Sequence, residues 1–307
     1  MCWKFGRYCA NLPIESDMST LNLIIQSEDI ETGDLKTLHA LARASGIEQI
    51  SGSFSHQAFR LLDADISRKA QIEAHCQQAG LDFAFVQADA MLADFGLIAM
   101  DMDSTLITIE CIDEIADYAG KKNEVAAVTA AAMRGEIDWT TSLRQRVATL
   151  AGLPEDTLQH VYMERLQLSP GAEQLAATAR RANIRLLLVS GGFTFFTEKL
   201  KARLGIDYAF SNILEIADGA LTGRVVGPLC DADAKARHLR NTASLLALPA
   251  DRVLAIGDGA NDLAMMAAAG TSIAYHAKPM VRAQASHALS HVGLDGIFAL
   301  FPATSAR

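Results

Sequence analysis

The sequence predicts an α/β protein: a Rossmann-like doubly wound parallel sheet with an inserted helical cap, preceded by a small ferredoxin-like α+β domain. Between residues 19 and 90, short apolar runs and helical patterns follow the order β-α-β-β-α-β. From residue 95 onward, apolar runs that end in polar turn residues alternate with helical patterns, which is typical of a parallel sheet. One helical stretch in this part is too long for a single crossover, which indicates the cap.

The smaller domain is expected at residues 19–90, after an irregular segment at residues 1–18. Leu21–Gln26 is apolar and β-prone, and Leu35–Ser45 has apolar residues at helical spacing before Gly46. No constellation of reactive side chains falls here. The remaining elements are two short strands, a helix and a last strand, at Ile47–Ser51, Ala58–Leu62, Arg68–Gln78 and Leu81–Val86.

The larger domain is expected at residues 95–300, after a linker at Gln87–Asp94. Its first strand is Phe95–Met100. The stretch from Cys111 to about His160 is helical without strong strand signals, so we expect the cap at about residues 111–170. Strands then alternate with helices, with strands at Ile184–Val189, Tyr208–Leu214, Leu221–Val226, Val253–Ile256 and Thr271–Ala274, and helices at Ala172–Arg181, Phe195–Leu204, Ala234–Leu246 and Asp262–Ala269.

Composition excludes several classes of protein. The chain has 307 residues and a net charge of −9, with no cluster of Lys and Arg, so it is a poor candidate for binding nucleic acid. It has no apolar run of the roughly 18 residues that a membrane span needs, and its first residues do not resemble a signal peptide. The five cysteines are scattered without ligand spacing, which predicts neither disulfides nor zinc and favours a reducing cytoplasm.

The sharpest polar cluster follows the first strand of the larger domain. Asp101 and Asp103 come directly after Phe95–Met100, so we expect them at the carboxyl end of a buried strand, where open α/β sheets bind ligands. Two carboxylates this close repel each other unless a cation or a shared proton relieves them. One could attack phosphorus and the other could act as acid and base. A strand-to-turn junction with two capping carboxylates is the alternative.

Two further clusters could hold a phosphoryl group. Ser190, Gly191 and Gly192 follow the predicted strand Ile184–Val189, and a hydroxyl with glycine amides can bind a phosphoryl oxygen. An ordinary glycine-rich turn is the alternative. Lys235 lies near the start of a predicted helix, where the helix dipole disfavours a cation. It is therefore either a solvated lysine or a group that neutralises nearby negative charge.

The fourth cluster follows the predicted strand Val253–Ile256. Asp258, Asn261 and Asp262 offer two carboxylates and an amide at this strand end, and such oxygen ligands suit Mg²⁺. A capped turn is the alternative, but it does not explain why carboxylates lie at a second strand end as well as at the first.

In this order, the four clusters resemble the haloacid dehalogenase-like phosphatase superfamily. The resemblance covers Phe95 to about Gly293 and includes the cap segments that begin at Glu110 and Ser142. It implies Mg²⁺-dependent hydrolysis of O-phospho-L-serine to L-serine and phosphate through an aspartyl-phosphate, the last step of L-serine biosynthesis. The N-terminal part is similar, in element order only, to the ACT-like domain of some bacterial members.

Carried over position by position, the resemblance implies roles for the motif residues. Asp101 is implied as the nucleophile and Asp103 as the general acid and base. The side chains of Asp101 and Asp258 and the backbone carbonyl of Asp103 are implied as Mg²⁺ ligands, with Asp262 supporting the site. The residues implied to hold the phosphoryl group are Ser190, Gly191, Lys235 and Asn261.

Two charges in the expected cap suit a zwitterionic substrate. The resemblance implies that Glu110 binds the substrate ammonium and Arg146 its carboxylate. A planar guanidinium can donate two parallel hydrogen bonds to a carboxylate. Without the resemblance, each residue would be read as a surface charge on a helix.

Other functions stay open at this point. The chain could pass the phosphoryl group to an alcohol such as homoserine instead of water. It could also be a ligand sensor with a vestigial catalytic part, although the intact motif residues argue against this. The expected partner is a small phosphomonoester, with neither nucleic acid nor a membrane. The sequence leaves open whether the chain forms a homodimer and whether the N-terminal domain binds an amino acid.

Overall fold

The computed structural model describes residues 20–52 and 54–303. The irregular segment predicted at residues 1–18, which includes Cys2 and Cys9, lies outside the described residues. Within the described part of the chain, no helix is long and apolar enough to cross a membrane.

The first unit, here called the N-terminal sandwich, is a four-stranded antiparallel sheet covered by two helices. The strand order β2-β3-β1-β4 is that of a ferredoxin-like fold, as the element order predicts. The helices bury Leu38 and Ile72 against Leu23 and Ile25 of the central strand. The elements are β1 (Leu21–Ser27), α1 (Thr32–Ala42), β2 (Gly46–Gln49), β3 (Gln57–Leu62), α2 (Lys69–Ala79) and β4 (Asp82–Gln87).

The second unit contains a seven-stranded sheet in the order β11-β10-β9-β5-β6-β7-β8, in which only the β7–β8 pair is antiparallel. The strands are β5 (Leu97–Met100), β6 (Arg185–Phe193), β7 (Tyr208–Ala217), β8 (Ala220–Val226), β9 (Val253–Gly257), β10 (Thr271–Tyr275) and β11 (His287–Leu289). The central strand β5 is buried along its whole length, which explains its uninterrupted apolar sequence. A doubly wound parallel sheet is therefore confirmed.

Helices fill two places in this unit. Four of them form the expected insert between β5 and β6, and we call these four the helical insert: α3 (Cys111–Tyr118), α4 (Lys122–Met133), α5 (Trp139–Ala148) and α6 (Asp156–Glu164). The others connect or follow the strands: α7 (Ala172–Arg181), α8 (Thr194–Leu204), α9 (Ala232–Leu245), α10 (Leu263–Met266), α11 (Pro279–Arg282) and α12 (Ile297–Leu300).

The structure corrects three details of the predicted elements. Strand β6 continues through Ser190 to Phe193 with a register shift after Val189, because a β-bulge accommodates residues that the sequence suggested were a turn. Helix α10 ends at Met266 rather than Ala269, since the Gly270 amide bonds back to the Ala250 carbonyl. The short elements β11, α11 and α12 were not predicted, because three or four residues carry too little periodicity.

The two units pack closely through the sheet of the N-terminal sandwich. Ile24, Ala84 and Val86 point away from its helices and join the hydrophobic core of the larger unit. Asp82, at the start of β4, adds a polar contact to this interface. Its carboxylate is 5 % exposed and accepts backbone hydrogen bonds from Ser290, His291 and Val292, at 2.8, 2.8 and 3.2 Å. This contact ties the edge strand β4 to the chain that follows β11.

We expect Asp82→Ala to lower the free energy of unfolding by about 2–4 kcal/mol, because the substitution leaves buried backbone donors without an acceptor. Chemical denaturation followed by circular dichroism measures this. The control is Asp89→Ala, which removes an exposed carboxylate shortly after the same strand. Equal stability of the two variants would show that the Asp82 contact contributes nothing.

Candidate active site

A cavity of ≈ 450 Å³ lies between the carboxyl ends of β5, β6 and β9 and the helical insert. It brings together most of the residues that the sequence indicated. Eight of them line it: Asp101, Asp103, Glu110, Arg146, Gly191, Gly192, Asp258 and Asn261. The other three are buried beneath its floor: Ser190, Lys235 and Asp262. The parallel sheet explains this convergence, because its strand ends meet at one edge.

A buried cation joins two of the strand ends. Lys235 is 1 % exposed, and its Nζ lies 2.8 Å from Asp101 Oδ1 and 2.7 Å from Asp262 Oδ1. Burial alone would lower the pKa of Lys235, but the two carboxylates raise it above its ordinary value. Burial also raises the pKa of Asp101, and Lys235 opposes that rise. The ammonium therefore allows two carboxylates to lie close together away from water.

The carboxylates at the ends of β5 and β9 form a group that could hold a metal ion. One carboxylate oxygen from each of Asp101, Asp258 and Asp262 lies within 4.8 Å of the other two. The three do not have equal freedom. Asp262 accepts hydrogen bonds from Lys235 through Oδ1 and from the amides of Asp258 and Gly259 through Oδ2. Both of its oxygens are thus already engaged.

Asp101 and Asp258 each keep one oxygen without a protein donor among the described residues. Asp101 Oδ1 accepts from the Met102 amide and from Lys235, and Asp258 Oδ1 accepts from Thr105 Oγ1 at 3.0 Å. Burial, with the negative charge of Asp262, raises the pKa of Asp258 to about 6. Carboxylate oxygens that lie close together repel one another. A hard divalent cation, which prefers oxygen ligands, would relieve this repulsion.

Asp103 lies on the same wall of the cavity but is held differently. Its Oδ1 accepts from the Cys111 amide at 2.9 Å, and its Oδ2 accepts from Ser190 Oγ at 3.3 Å. Burial raises the pKa of Asp103, while these hydrogen bonds partly oppose the rise. A carboxyl group whose pKa is raised is a candidate for general acid and base catalysis.

The bulge in β6 shapes the wall beside Asp103. Ser190 Oγ accepts a hydrogen bond from the Gly192 amide at 2.8 Å, and the Gly191 carbonyl accepts from Asn212 Nδ2 at 2.7 Å. A Cβ at position 192 would lie 2.6 Å from Asp103 Oδ2. Glycine is therefore required there by close approach, and the Ser190 hydroxyl stays beside the Asp103 carboxylate.

The opposite wall belongs to the helical insert and carries both signs of charge. Glu110 precedes α3 and accepts from Ser104 Oγ at 2.9 Å, and burial with nearby Asp103 raises its pKa to about 7. Arg146 lies on α5, and its Nε is buried without a hydrogen-bond partner among the described residues. A buried guanidinium donor without an acceptor indicates a place for a ligand carboxylate or phosphate.

The structure brings to the site several residues whose roles were not predicted from the sequence. Thr105 holds Asp258, and Ser104, whose backbone is left-handed at φ 57°, directs its hydroxyl to Glu110. Asn212 joins β6 to the chain at Cys230 through its side-chain amide. Thr105 and Ser104 lie in the Asp101 motif and could have been suspected. Asn212 carries no local signal, since its partners are distant in the chain.

Comparison with known proteins decides the family. A family model described as haloacid dehalogenase-like hydrolase matches residues 98–267. This chain belongs to that family. The resemblance seen in the motifs is therefore confirmed at the level of the hydrolase. A second model, for a domain of unknown function (DUF4072), matches residues 23–72 in the N-terminal sandwich.

Relatives of this hydrolase carry a more specific name. It is 54 % identical over 226 residues to a phosphoserine phosphatase of Polaromonas sp. strain JS666, covering 72 % of this chain and 96 % of the relative. It is 45 % identical over 243 residues to a phosphoserine phosphatase of Vibrio cholerae, covering 79 % of this chain and 73 % of the relative.

Solved structures agree with these relatives. The unliganded crystal structure of a probable phosphoserine phosphatase from Vibrio cholerae matches with a TM-score of 0.79 and 39 % identity, covering 92 % of this chain and 86 % of that one. A structure described as a phospho-aspartyl intermediate analogue of phosphoserine phosphatase matches with a TM-score of 0.63 and 37 % identity, covering 67 % and 99 %. The shorter match leaves part of this chain uncovered.

We expect Lys235→Gln to lower the free energy of unfolding by about 3–5 kcal/mol at pH 7.5 in the presence of EDTA, because it leaves buried carboxylates without their cation. The loss should shrink as the pH falls to 5. Without Lys235, the folded-state pKa of Asp101 lies further above its unfolded value, so protonation favours the folded variant. Denaturant titrations at both pH values measure the difference.

The matched control is Lys36→Gln, which removes an exposed lysine on helix α1. It should change stability by less than about 0.5 kcal/mol at either pH. A Lys235→Gln deficit that stays the same between pH 7.5 and pH 5 would contradict the proposed charge balance.

Proposed function

We propose that this hydrolase converts O-phospho-L-serine and water to L-serine and phosphate, through an aspartyl-phosphate on Asp101, with Mg²⁺ as its ion. One observation carries the proposal: a single cavity presents an aspartate beside a buried ammonium on one wall, and Glu110 with Arg146 on the other, where Arg146 Nε has no hydrogen-bond partner among the described residues. The first wall suits a phosphoryl group and the second a zwitterionic amino acid. The names and identities of the relatives support the same substrate.

Asp101 is the proposed nucleophile. It follows a rigid, fully buried strand, and its Oδ1 is held by the Met102 amide and Lys235. Its remaining oxygen is therefore oriented toward the cavity, where it would attack phosphorus. The O–P bond to Asp101 forms as the bond to the serine oxygen breaks. A water molecule then attacks the same phosphorus, releases phosphate and restores the carboxylate.

Asp103 is the proposed acid and base for these two steps. Its raised pKa allows it to hold a proton, which it would give to the departing serine oxygen. The resulting carboxylate would then take a proton from the attacking water. The Ser190 hydroxyl and the Cys111 amide fix both oxygens of this carboxyl group, so the proton is delivered from a defined position.

The phosphoryl group would be held at the bulge of β6. We assign its contacts to the Ser190 hydroxyl, the Gly191 amide, the Lys235 ammonium and the Asn261 side chain. Gly191 and Asn261 line the cavity, whereas Ser190 and Lys235 reach it from below. Positive charge here is needed because a phosphate dianion must approach the Asp101 carboxylate.

Asp258, through its free oxygen, and the Asp101 carboxylate would hold Mg²⁺, together with the backbone carbonyl of Asp103. Asp262 supports the site indirectly, since Lys235 and two backbone amides already engage its oxygens. When bound, the ion would offset the negative charge that develops on the phosphoryl oxygens. The carboxylate donor set fits an oxygen-preferring cation, and Thr105 fixes the orientation of Asp258.

Glu110 and Arg146 are the proposed contacts of the amino-acid part of the substrate. Without substrate, the pKa of Glu110 is about 7. The positive charge of the substrate ammonium would favour the ionised carboxylate of Glu110. The substrate carboxylate would accept the hydrogen bond that Arg146 Nε does not make within the described chain. Arg146 belongs to the helical insert and Glu110 directly precedes it, so substrate binding would draw the insert over the sheet edge and exclude water.

The proposal extends to the organisation and setting of the enzyme. Residues 19–90 would form a separate domain, and residues 95–300 a hydrolase domain whose cap spans about 111–170. The reaction would be the last step of L-serine biosynthesis in the cytoplasm. Among the described residues, Cys76, Cys111 and Cys230 are buried and form no disulfide with one another, in keeping with a reducing compartment.

We expect Asp101→Asn to reduce phosphate release from phosphoserine by at least about 10⁴-fold, because an amide cannot form the acyl phosphate. The side chain keeps its size, so thermal unfolding should still show a folded protein. Release of inorganic phosphate, measured with Mg²⁺ and again after EDTA, checks the rate and its dependence on the ion.

Asp251→Asn, at an exposed position before β9, is the matched control and should keep full activity. EDTA should stop the reaction of the unmodified chain and added Mg²⁺ should restore it. Normal turnover by Asp101→Asn would remove Asp101 as the nucleophile.

We expect Arg146→Ala to raise KM for phosphoserine by about 30- to 100-fold, since it removes a charge-assisted contact to the carboxylate. KM for O-phosphoethanolamine, which lacks the carboxylate, should change little. Steady-state kinetics with both substrates separate the two effects. The neighbouring exposed Arg144→Ala is the control, and it should behave as the unmodified enzyme. Equal increases for both substrates would exclude Arg146 from carboxylate binding.

A further inference from the structure

A second cavity, of ≈ 480 Å³, lies between the N-terminal sandwich and the hydrolase sheet. It is as large as the candidate active site, at ≈ 450 Å³. Its walls are α2 and β4 on one side, and α11, β11 and the chain between them on the other. This size is in the range of sites for small molecules. The first cavity and its residues do not contribute to it.

Two aromatic side chains line part of the second cavity. Phe83 and Phe85 of β4 line it and are only partly buried, with Leu81 beside them. Ile66, at the mouth, is 52 % exposed. Large apolar side chains that stay open to solvent inside a cavity favour a ligand with an apolar part.

The walls of this cavity carry charges of both signs. Lys69 and Arg282 line it from opposite walls, and neither makes a salt bridge within the described chain. Both acidic residues on the walls are engaged, since Gln77 donates a hydrogen bond to Glu73, and Asp82 accepts from backbone amides. Lys69 and Arg282 have no carboxylate partner within the described chain, and Arg282 donates a hydrogen bond to Ser290 Oγ at 3.3 Å.

His287, on β11, joins these cations at the cavity wall. Its ring packs edge-on against Phe301 at 5.8 Å between centroids, and no described residue makes a hydrogen bond to it. Burial and the positive charge of Lys69 lower the pKa of His287 to about 4. The imidazole and the Lys69 ammonium therefore face the same space, and an anion between them would satisfy both.

We propose that the second cavity binds a small organic anion: a carboxylate or phosphate joined to an apolar group. Lys69 and Arg282 would hold the anion from the two units, with His287 as a third donor, and Phe83 and Phe85 would cover the apolar group. Because the residues that hold the anion come from both units, a bound anion would stabilise the packing of the two units against each other. The proposal does not depend on the reaction at Asp101.

Titration of the full chain with three probes tests this site. Phenylacetate carries a carboxylate and a ring, phenethylamine carries the ring with the opposite charge, and acetate lacks the ring. We expect saturable binding by phenylacetate alone, measured by calorimetry and by the shifts of the His287 imidazole resonances. Lys69→Gln and Arg282→Gln should each weaken it about tenfold, the loss of one charge-assisted contact. Lys36→Gln, on the other helix of the sandwich, should leave it unchanged.

Arg146→Ala distinguishes binding in the two cavities. It removes the guanidinium of the first cavity, so phenylacetate binding in the second cavity should not change. Four results would each overturn the proposal: no saturable binding of phenylacetate, equal affinity for phenethylamine, unchanged affinity in both Lys69→Gln and Arg282→Gln, or loss of binding in Arg146→Ala. None of these results bears on whether Asp101 is a nucleophile.

Discussion

The contact on which the site depends is the buried ammonium of Lys235 between the carboxylates of Asp101 and Asp262. Three buried charges of this kind are costly to desolvate, and they persist only because each is paired at 2.7–2.8 Å. The pairing links α9 to the ends of β5 and β9. It thereby sets the distance between the two carboxylates that face the cavity, Asp101 and Asp258, and the position of a cation beside an incoming phosphate.

The other residues of the cavity lie on two walls, one formed by the rigid strand ends and one formed by the helical insert. Asp101, Asp103 and Asp258 are fixed by backbone amides, by hydroxyl groups and by the fully buried central strands β5 and β9. Glu110 lies just before α3 and Arg146 lies on α5, and both line the cavity opposite the strand ends. Glu110 has a raised pKa, and Arg146 Nε lacks an acceptor among the described residues. A zwitterionic ligand would bring a positive charge to Glu110 and an acceptor to Arg146.

The N-terminal sandwich is more than an appended unit. Both faces of its sheet are buried, one by its own helices and the other by the hydrolase core, which is unusual for a small antiparallel sheet. Asp82 adds directional contacts to backbone amides beyond β11. The second cavity lies at the same interface, so any ligand there would act on the docking of the two units rather than on the reaction itself.

The sequence by itself determined the order and type of most elements, because apolar runs and helical spacing encode burial locally. It also indicated the site residues, since parallel strands bring their carboxyl ends to one edge. Only the tertiary structure decided which oxygens are free. Asp262 proved to be engaged by Lys235 and amides, whereas Asp101 and Asp258 keep an open oxygen. The bulge of β6, the Asn212 contacts and the second cavity likewise depend on partners far apart in the chain, and local patterns carry no information about them.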